Sequence, residues 1–138
     1  MATAQIEYIK QLRTECTHLK SGKNFITDAP TDNKGNGDAF SPTDTVATAL
    51  ASCMLTIMGI YALEHDFDLN QSKAIVTKHM STETPRKIDK IDIEMTVSAT
   101  KTLSIKEKIS LERAAKTCPV ALSLRPEIEQ NLKVSFSN

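Results

Sequence analysis

From Val46 to Leu63 the chain runs eighteen residues without a formal charge, far longer than any other apolar stretch in it. Ser41-Pro42-Thr43-Asp44 predicts where that helix starts. Ser41 can cap, Pro42 has the fixed φ that suits the first helical position, and Asp44 stands at the reciprocal place of a capping box. Nothing interrupts the pattern before Glu64, and Asp66-Phe67-Asp68 ends it. Downstream the period changes. Ile91, Ile93, Met95, Val97 and Ala99 fall on one side of a strand, with Asp92, Glu94, Thr96 and Ser98 on the other. That strand, Lys87–Thr100, is predicted to pair antiparallel with Lys73–Ser81 around Thr84-Pro85.

The remaining elements are shorter. Ile6–Cys16 and Asn24–Thr27 read as the first strands, turned at Ser21-Gly22-Lys23. A loop from Asp28 to Phe40 follows, thirteen residues rich in Asp, Asn, Gly and Pro. Connections of that length often carry function. Ser104-Ile105-Lys106-Glu107 is a second capping box, opening a helix to about Lys116. A short helix follows Cys118, and Leu132–Phe136 reads as a last edge strand. Strands, a long helix, strands and then helices predict an α+β domain spanning residues 1–138.

Composition narrows the function classes. Seventeen basic and seventeen acidic residues cancel, and no basic block marks a nucleic-acid surface. The uncharged run meets the length of a membrane span. Thr48, Ser52, Thr56 and Gly59 dilute it, and no Lys or Arg flanks it closely. A buried helix is therefore the expectation, not a membrane partner. In a domain this small such a helix favours an oligomer whose partner covers part of it. Met1-Ala2-Thr3-Ala4-Gln5 lacks the order of a signal peptide. With three cysteines, this points to a reducing cytoplasm and free or catalytic thiols.

The cysteines differ in setting. Cys53 is about the twelfth residue of its helix, roughly 16 Å from the N-terminus, beyond the reach of the helix dipole. Ala49, Leu50, Thr56 and Ile57 share its face, and apolar surroundings raise a thiol pKa. It is an inert core residue unless a cation reaches it from elsewhere. Cys118 precedes Pro119, so it is the expected cap, near backbone N–H groups that favour a thiolate, or simply a small residue that fits the turn. Cys16 shares a strand face with His18, but His65 and His79 offer no spacing for a metal site. An ordinary strand cysteine is the expectation, with no metal or cofactor.

Two segments together resemble the OsmC/Ohr family of thiol-dependent hydroperoxide reductases. They are Ala39-Phe40-Ser41-Pro42-Thr43-Asp44 running through Ala49-Leu50-Ala51-Ser52-Cys53, and Ala114-Ala115-Lys116-Thr117-Cys118-Pro119-Val120. The resemblance implies an OsmC-like α+β domain with an antiparallel sheet and a long central helix, in an intertwined homodimer. It implies that Cys53 attacks an organic hydroperoxide and that Cys118 resolves the product to a disulfide, which an external dithiol reduces. The apolar residues around Cys53 suit an alkyl or fatty-acyl hydroperoxide.

The helix entry is most similar to the less characterised Ser-Pro-x-acid branch of the family. Thr43 follows the proline where the best-studied peroxidases carry glutamate, and Asp44 comes next. Lys34 is the only cation in Asn24–Ser41, and it lacks the bidentate fork of arginine. Arg13, in the first strand, is the other candidate to activate Cys53, with Asp44 of the opposite subunit orienting it. The alternatives to a peroxidase are a non-enzymatic OsmC-fold dimer that binds a small apolar ligand and a purely structural dimer.

Overall fold

The computed structural model describes residues 1–137 and divides into two compact units, Met1–Val46 and the chain from Ala47 onward. The first unit holds a three-stranded antiparallel sheet in the order β1 (Ala4–Lys10), β2 (Arg13–His18), β3 (Asn24–Asp28). What the pattern predicts as one strand, Ile6–Cys16, is a hairpin. Gln11 and Leu12 form its tip with φ of 51° and 65°. Left-handed backbone at both central positions matches the twist of the flanking strands, which is why such turns normally carry Asn-Gly. Here neither residue is a turn former. The tip is held instead by Leu12 N–H donating to the Tyr8 hydroxyl at 3.1 Å and by Ala29 N–H donating to the Leu12 carbonyl at 3.1 Å.

After β3 the loop folds on itself. Asp28 N–H donates to the Phe40 carbonyl at 2.9 Å, closing it at its base, and Gly35 N–H donates to the Pro30 carbonyl at 2.9 Å. A β-carbon on Gly35 would lie 1.7 Å from the Ala29 carbonyl oxygen, so only glycine allows that approach. The loop ends in the expected capping box. Asp44 N–H donates to Ser41 Oγ at 3.0 Å, and Ser41 N–H donates to Asp44 Oδ2 at 2.9 Å. It opens α1 (Pro42–Glu64), with the bounds that the proline and the uncharged run predict.

In the second unit α1 buries Ala47, Leu50, Ala51, Met54, Met58 and Ala62, one stripe at three- and four-residue spacing. Of the helix's most apolar eighteen-residue window, 33 % is buried; Ile60 and Leu63 on other faces are exposed. The sheet runs β4 (Lys73–Met80), β5 (Ile88–Val97), β6 (Glu129–Phe136). β4 and β5 pair antiparallel, whereas β6 lies parallel to β5 and starts at Glu129, ahead of the expected Leu132. Ile91, Ile93, Met95 and Val97 are buried from β5, alongside Leu111 and Ala115 of α2 (Ile105–Lys116). The last helix, α3 (Pro119–Ser123), is one short turn capped by Cys118. The architecture is α+β, with two sheets, the second of them mixed.

Candidate functional site

The thiols of Cys53 and Cys118, sixty-five positions apart in sequence, lie near enough that Cys53 perturbs the ionisation of Cys118. The local chain explains each placement. Cys118 has an extended backbone (φ −67°, ψ 152°) because Pro119 follows it, and Pro119 is the first residue of α3. The Cys118 side chain turns in and its Sγ accepts from Ala121 N–H at 3.3 Å. It is completely buried, at 0 % exposure. Cys53 lies on α1 between the buried stripe and the exposed side, and is half-buried.

The electrostatics of Cys118 decide between the two sequence readings, against the thiolate. Backbone N–H groups of Ala121 and Val120 do lower its pKa, but burial pushes the thiol up and contact with Cys53 pushes it further. Desolvation in an apolar core outweighs two neutral donors. Cys118 therefore holds its proton.

The first unit contains a second constellation. Arg13 opens β2 directly opposite Asp28 at the end of β3. Its Nη2 lies 3.3 Å from Asp28 Oδ2 and 3.6 Å from Asp38 Oδ2. Asp28 is 1 % exposed, and its Oδ2 also accepts from Asp38 N–H at 3.0 Å. These residues, with Ile9, Lys10, Gln11 and Asn36, line a cavity of about 280 Å³. Lys34 stands at the end of a 3-10 turn (Thr31–Asn33), exposed, with no ion pair among the described residues. Asp44 is engaged by the Ser41 cap. No group of three or more His, Cys, Asp or Glu side chains able to hold a metal occurs among the described residues.

The profile of the family described as OsmC-like protein matches residues 35–133, more than half of the chain. The chain belongs to the OsmC/Ohr family. The OsmC fold extends over the whole length. A protein named for osmotic stress induction and detoxification response, from Psychrobacter arcticus 273-4, is similar at 44 % identity and TM-score 0.91, over 98 % of this chain and 96 % of that one. An organic hydroperoxide resistance protein OsmC from Legionella pneumophila shares the fold at 15 % identity and TM-score 0.71, over 98 % of both chains. So does one named for organic hydroperoxide resistance from Vibrio cholerae, with captopril bound in one of its active sites. Its identity is 14 % and its TM-score 0.72, over 97 % of this chain and 92 % of that one. No curated protein matches.

Two participants escaped the sequence. Asp28 and Asp38 lie in the loop that its length marks as functional, but nothing in their spacing assigns them to Arg13. Their signal is the cross-strand register of β2 and β3, which places Asp28 opposite Arg13 only once β2 is known to begin at Arg13, after a Gln11-Leu12 turn that carries no turn residues.

Proposed function

We propose that this protein reduces organic hydroperoxides with its Cys53–Cys118 pair. The observation that carries the reading is that the fold brings the buried Cys118, capping α3, next to Cys53 of α1, whose proximity adds to the burial that raises the Cys118 pKa. Cys118 is held protonated and buried, and the half-buried Cys53 is assigned as the nucleophile. The Cys53 thiolate attacks one oxygen of the peroxide, the O–O bond breaks, and the alkoxide takes a proton and leaves as the alcohol. Cys53 is now a sulfenic acid. Cys118 sulfur displaces its hydroxyl, water departs, and a disulfide forms. An external dithiol reduces that disulfide and is itself oxidised. Thiols alone carry the chemistry, which fits a reducing cytoplasm.

Arg13 is the cation assigned to the activation of Cys53, ahead of Lys34, because Arg13 is held by two carboxylates whereas Lys34 stands free in a solvent-exposed loop. Asp44 serves as the α1 cap in this reading, with its role toward the opposite subunit open to the mixed-dimer test below. The working unit is a homodimer. Exposed large apolar residues that a partner could cover include Ile6, Tyr8 and Phe25 on the first sheet and Ile60 and Leu63 on α1.

Stopped-flow mixing of reduced protein with one equivalent of tert-butyl or cumene hydroperoxide tests the chemistry. Wild type should lose two thiols per peroxide consumed, and Cys53→Ser should consume none. Peroxide consumption by Cys53→Ser at the wild-type rate would exclude this mechanism. For Asp44, dimers that combine a Cys53→Ser chain with an Asp44→Asn chain retain one working site if Asp44 acts across the interface. Sedimentation should give twice the chain mass at micromolar concentration.

A further inference from the structure

Arg13 is paired across the strands with a carboxylate that is otherwise hard to explain. Asp28 is 1 % exposed, and its Oδ1 is buried with no hydrogen-bond partner. A carboxylate in that condition is costly unless it engages a cation. Its other oxygen meets two donors at once, Arg13 Nη2 at 3.3 Å and Asp38 N–H at 3.0 Å. Asp38 returns the contact with its own Oδ2, 3.6 Å from the same nitrogen. The two acids and the arginine form a closed set: Asp28 holds Arg13 and the backbone of Asp38, and Asp38 holds Arg13 from the loop side. Both act on Nη2, so Nη1 and Nε keep their N–H donors unengaged among the described residues.

We infer that Asp28, with Asp38 in support, is the positioning residue that sets the direction of the Arg13 guanidinium. The carboxylate at the helix entry, Asp44, meets the Ser41 backbone; the one aligned with Arg13 comes from the end of β3. Three features converge on this assignment. Arg13 and Asp28 are register partners in the β2–β3 ladder, so the pairing is fixed by the backbone. The guanidinium is clamped at Nη2 by both carboxylates, and all three residues line the 280 Å³ cavity. The hairpin tip immediately before Arg13 is in left-handed backbone at two consecutive non-glycine residues, a local strain retained where geometry is tightly determined. The inference rests on Arg13 activating Cys53, as proposed above.

The experiment is a double-substitution cycle read by peroxide consumption against pH. Wild type, Arg13→Met, Asp28→Asn, Asp38→Asn and the two combinations with Arg13→Met are compared on the alkaline plateau, where the thiol is fully ionised. A change in field alone moves the midpoint and leaves the plateau, whereas a misaligned guanidinium lowers the plateau itself. Asp28→Asn should lower the plateau about tenfold and Asp38→Asn about threefold, in keeping with the sensitivity of rates to small displacements of a catalytic group. In the Arg13→Met background neither should lower it further. Asp38 is 65 % exposed at its side chain, so its variant keeps the test valid should Asp28→Asn fail to fold. A slow Arg13→Met with both aspartate variants at the wild-type plateau overturns this inference and leaves the peroxidase reading intact. Equal losses with and without Arg13 also overturn it, since they mark a general structural effect. Arg13→Met at the wild-type rate removes the activation scheme and this inference with it.

Discussion

Replacing Gly35 by alanine tests whether the loop between β3 and α1 is built on one close backbone approach. The new β-carbon would stand 1.7 Å from the Ala29 carbonyl oxygen and 2.1 Å from the carbonyl carbon. Both atoms belong to backbone, so no side-chain rotation relieves the overlap. The strands of the loop must separate by more than an ångström, which breaks Gly35 N–H to Pro30 at 2.9 Å and Gly37 N–H to Ala29 at 3.1 Å. At about 1 kcal/mol for each lost bond and about 1 kcal/mol of residual strain, the substitution should cost about 2–3 kcal/mol. For a chain of this size that lowers Tm by about 8–12 °C. Gly22→Ala is the control. Nothing lies within 4 Å of its β-carbon position, yet φ is +75°, so it pays only the left-handed penalty of about 1–2 kcal/mol. Scanning calorimetry of both variants decides the matter. A Gly35→Ala midpoint no lower than that of Gly22→Ala would refute the steric reasoning.

Three other outcomes are expected. Glu107, held by Lys101 and the Ser104 backbone, has its pKa lowered from 4.5 to about 2; a depressed carboxylate contributes stability that is complete above about 4.5 and lost as pH falls through about 2. Glu107→Gln should therefore flatten the acid limb of the α2 helix signal in that window, and an unchanged limb contradicts the assignment. Changing the hairpin tip to Gln11→Asn with Leu12→Gly should raise stability by about 1 kcal/mol, because left-handed strain at the tip exceeds the entropy that glycine loses; a lower Tm would mean the tip is not strained. In Cys118→Ser a sulfenic acid should accumulate at Cys53 after one equivalent of peroxide and react with a dione trap, while wild type should give almost no adduct; equal trapping in the two proteins would separate Cys118 from the resolving step.

What the sequence revealed is what local chemistry controls. The bounds of α1 follow from Ser41, Pro42, Asp44 and the absence of charge through Leu63. The extended backbone of Cys118 and the helix start at Pro119 follow from proline sterics. The alternation through β5 appears in its burial. Long-range order was hidden. The turn at Gln11–Leu12 carries no Gly, Asn, Asp or Pro, because tertiary hydrogen bonds from Tyr8 and Ala29 hold it. The parallel pairing of β6 leaves no mark on its own residues. The protonation of Cys118 stayed open in sequence because a local motif supplies its donors, while its dry surroundings come from the folded core.

In the mechanism proposed above, the complete burial of Cys118 would set the polarity of recycling. Once the two sulfurs were joined, an incoming reductant would reach the half-buried Cys53 and not its partner. Attack there expels Cys118, and a sulfur whose pKa is raised by its surroundings departs slowly. Oxidation would then be quick and release slow, so the disulfide form would outlast the peroxide that made it. The fraction of oxidised chains in a cell would record recent exposure, with a decay time lengthened by the poor leaving thiol and shortened by a richer supply of reductant.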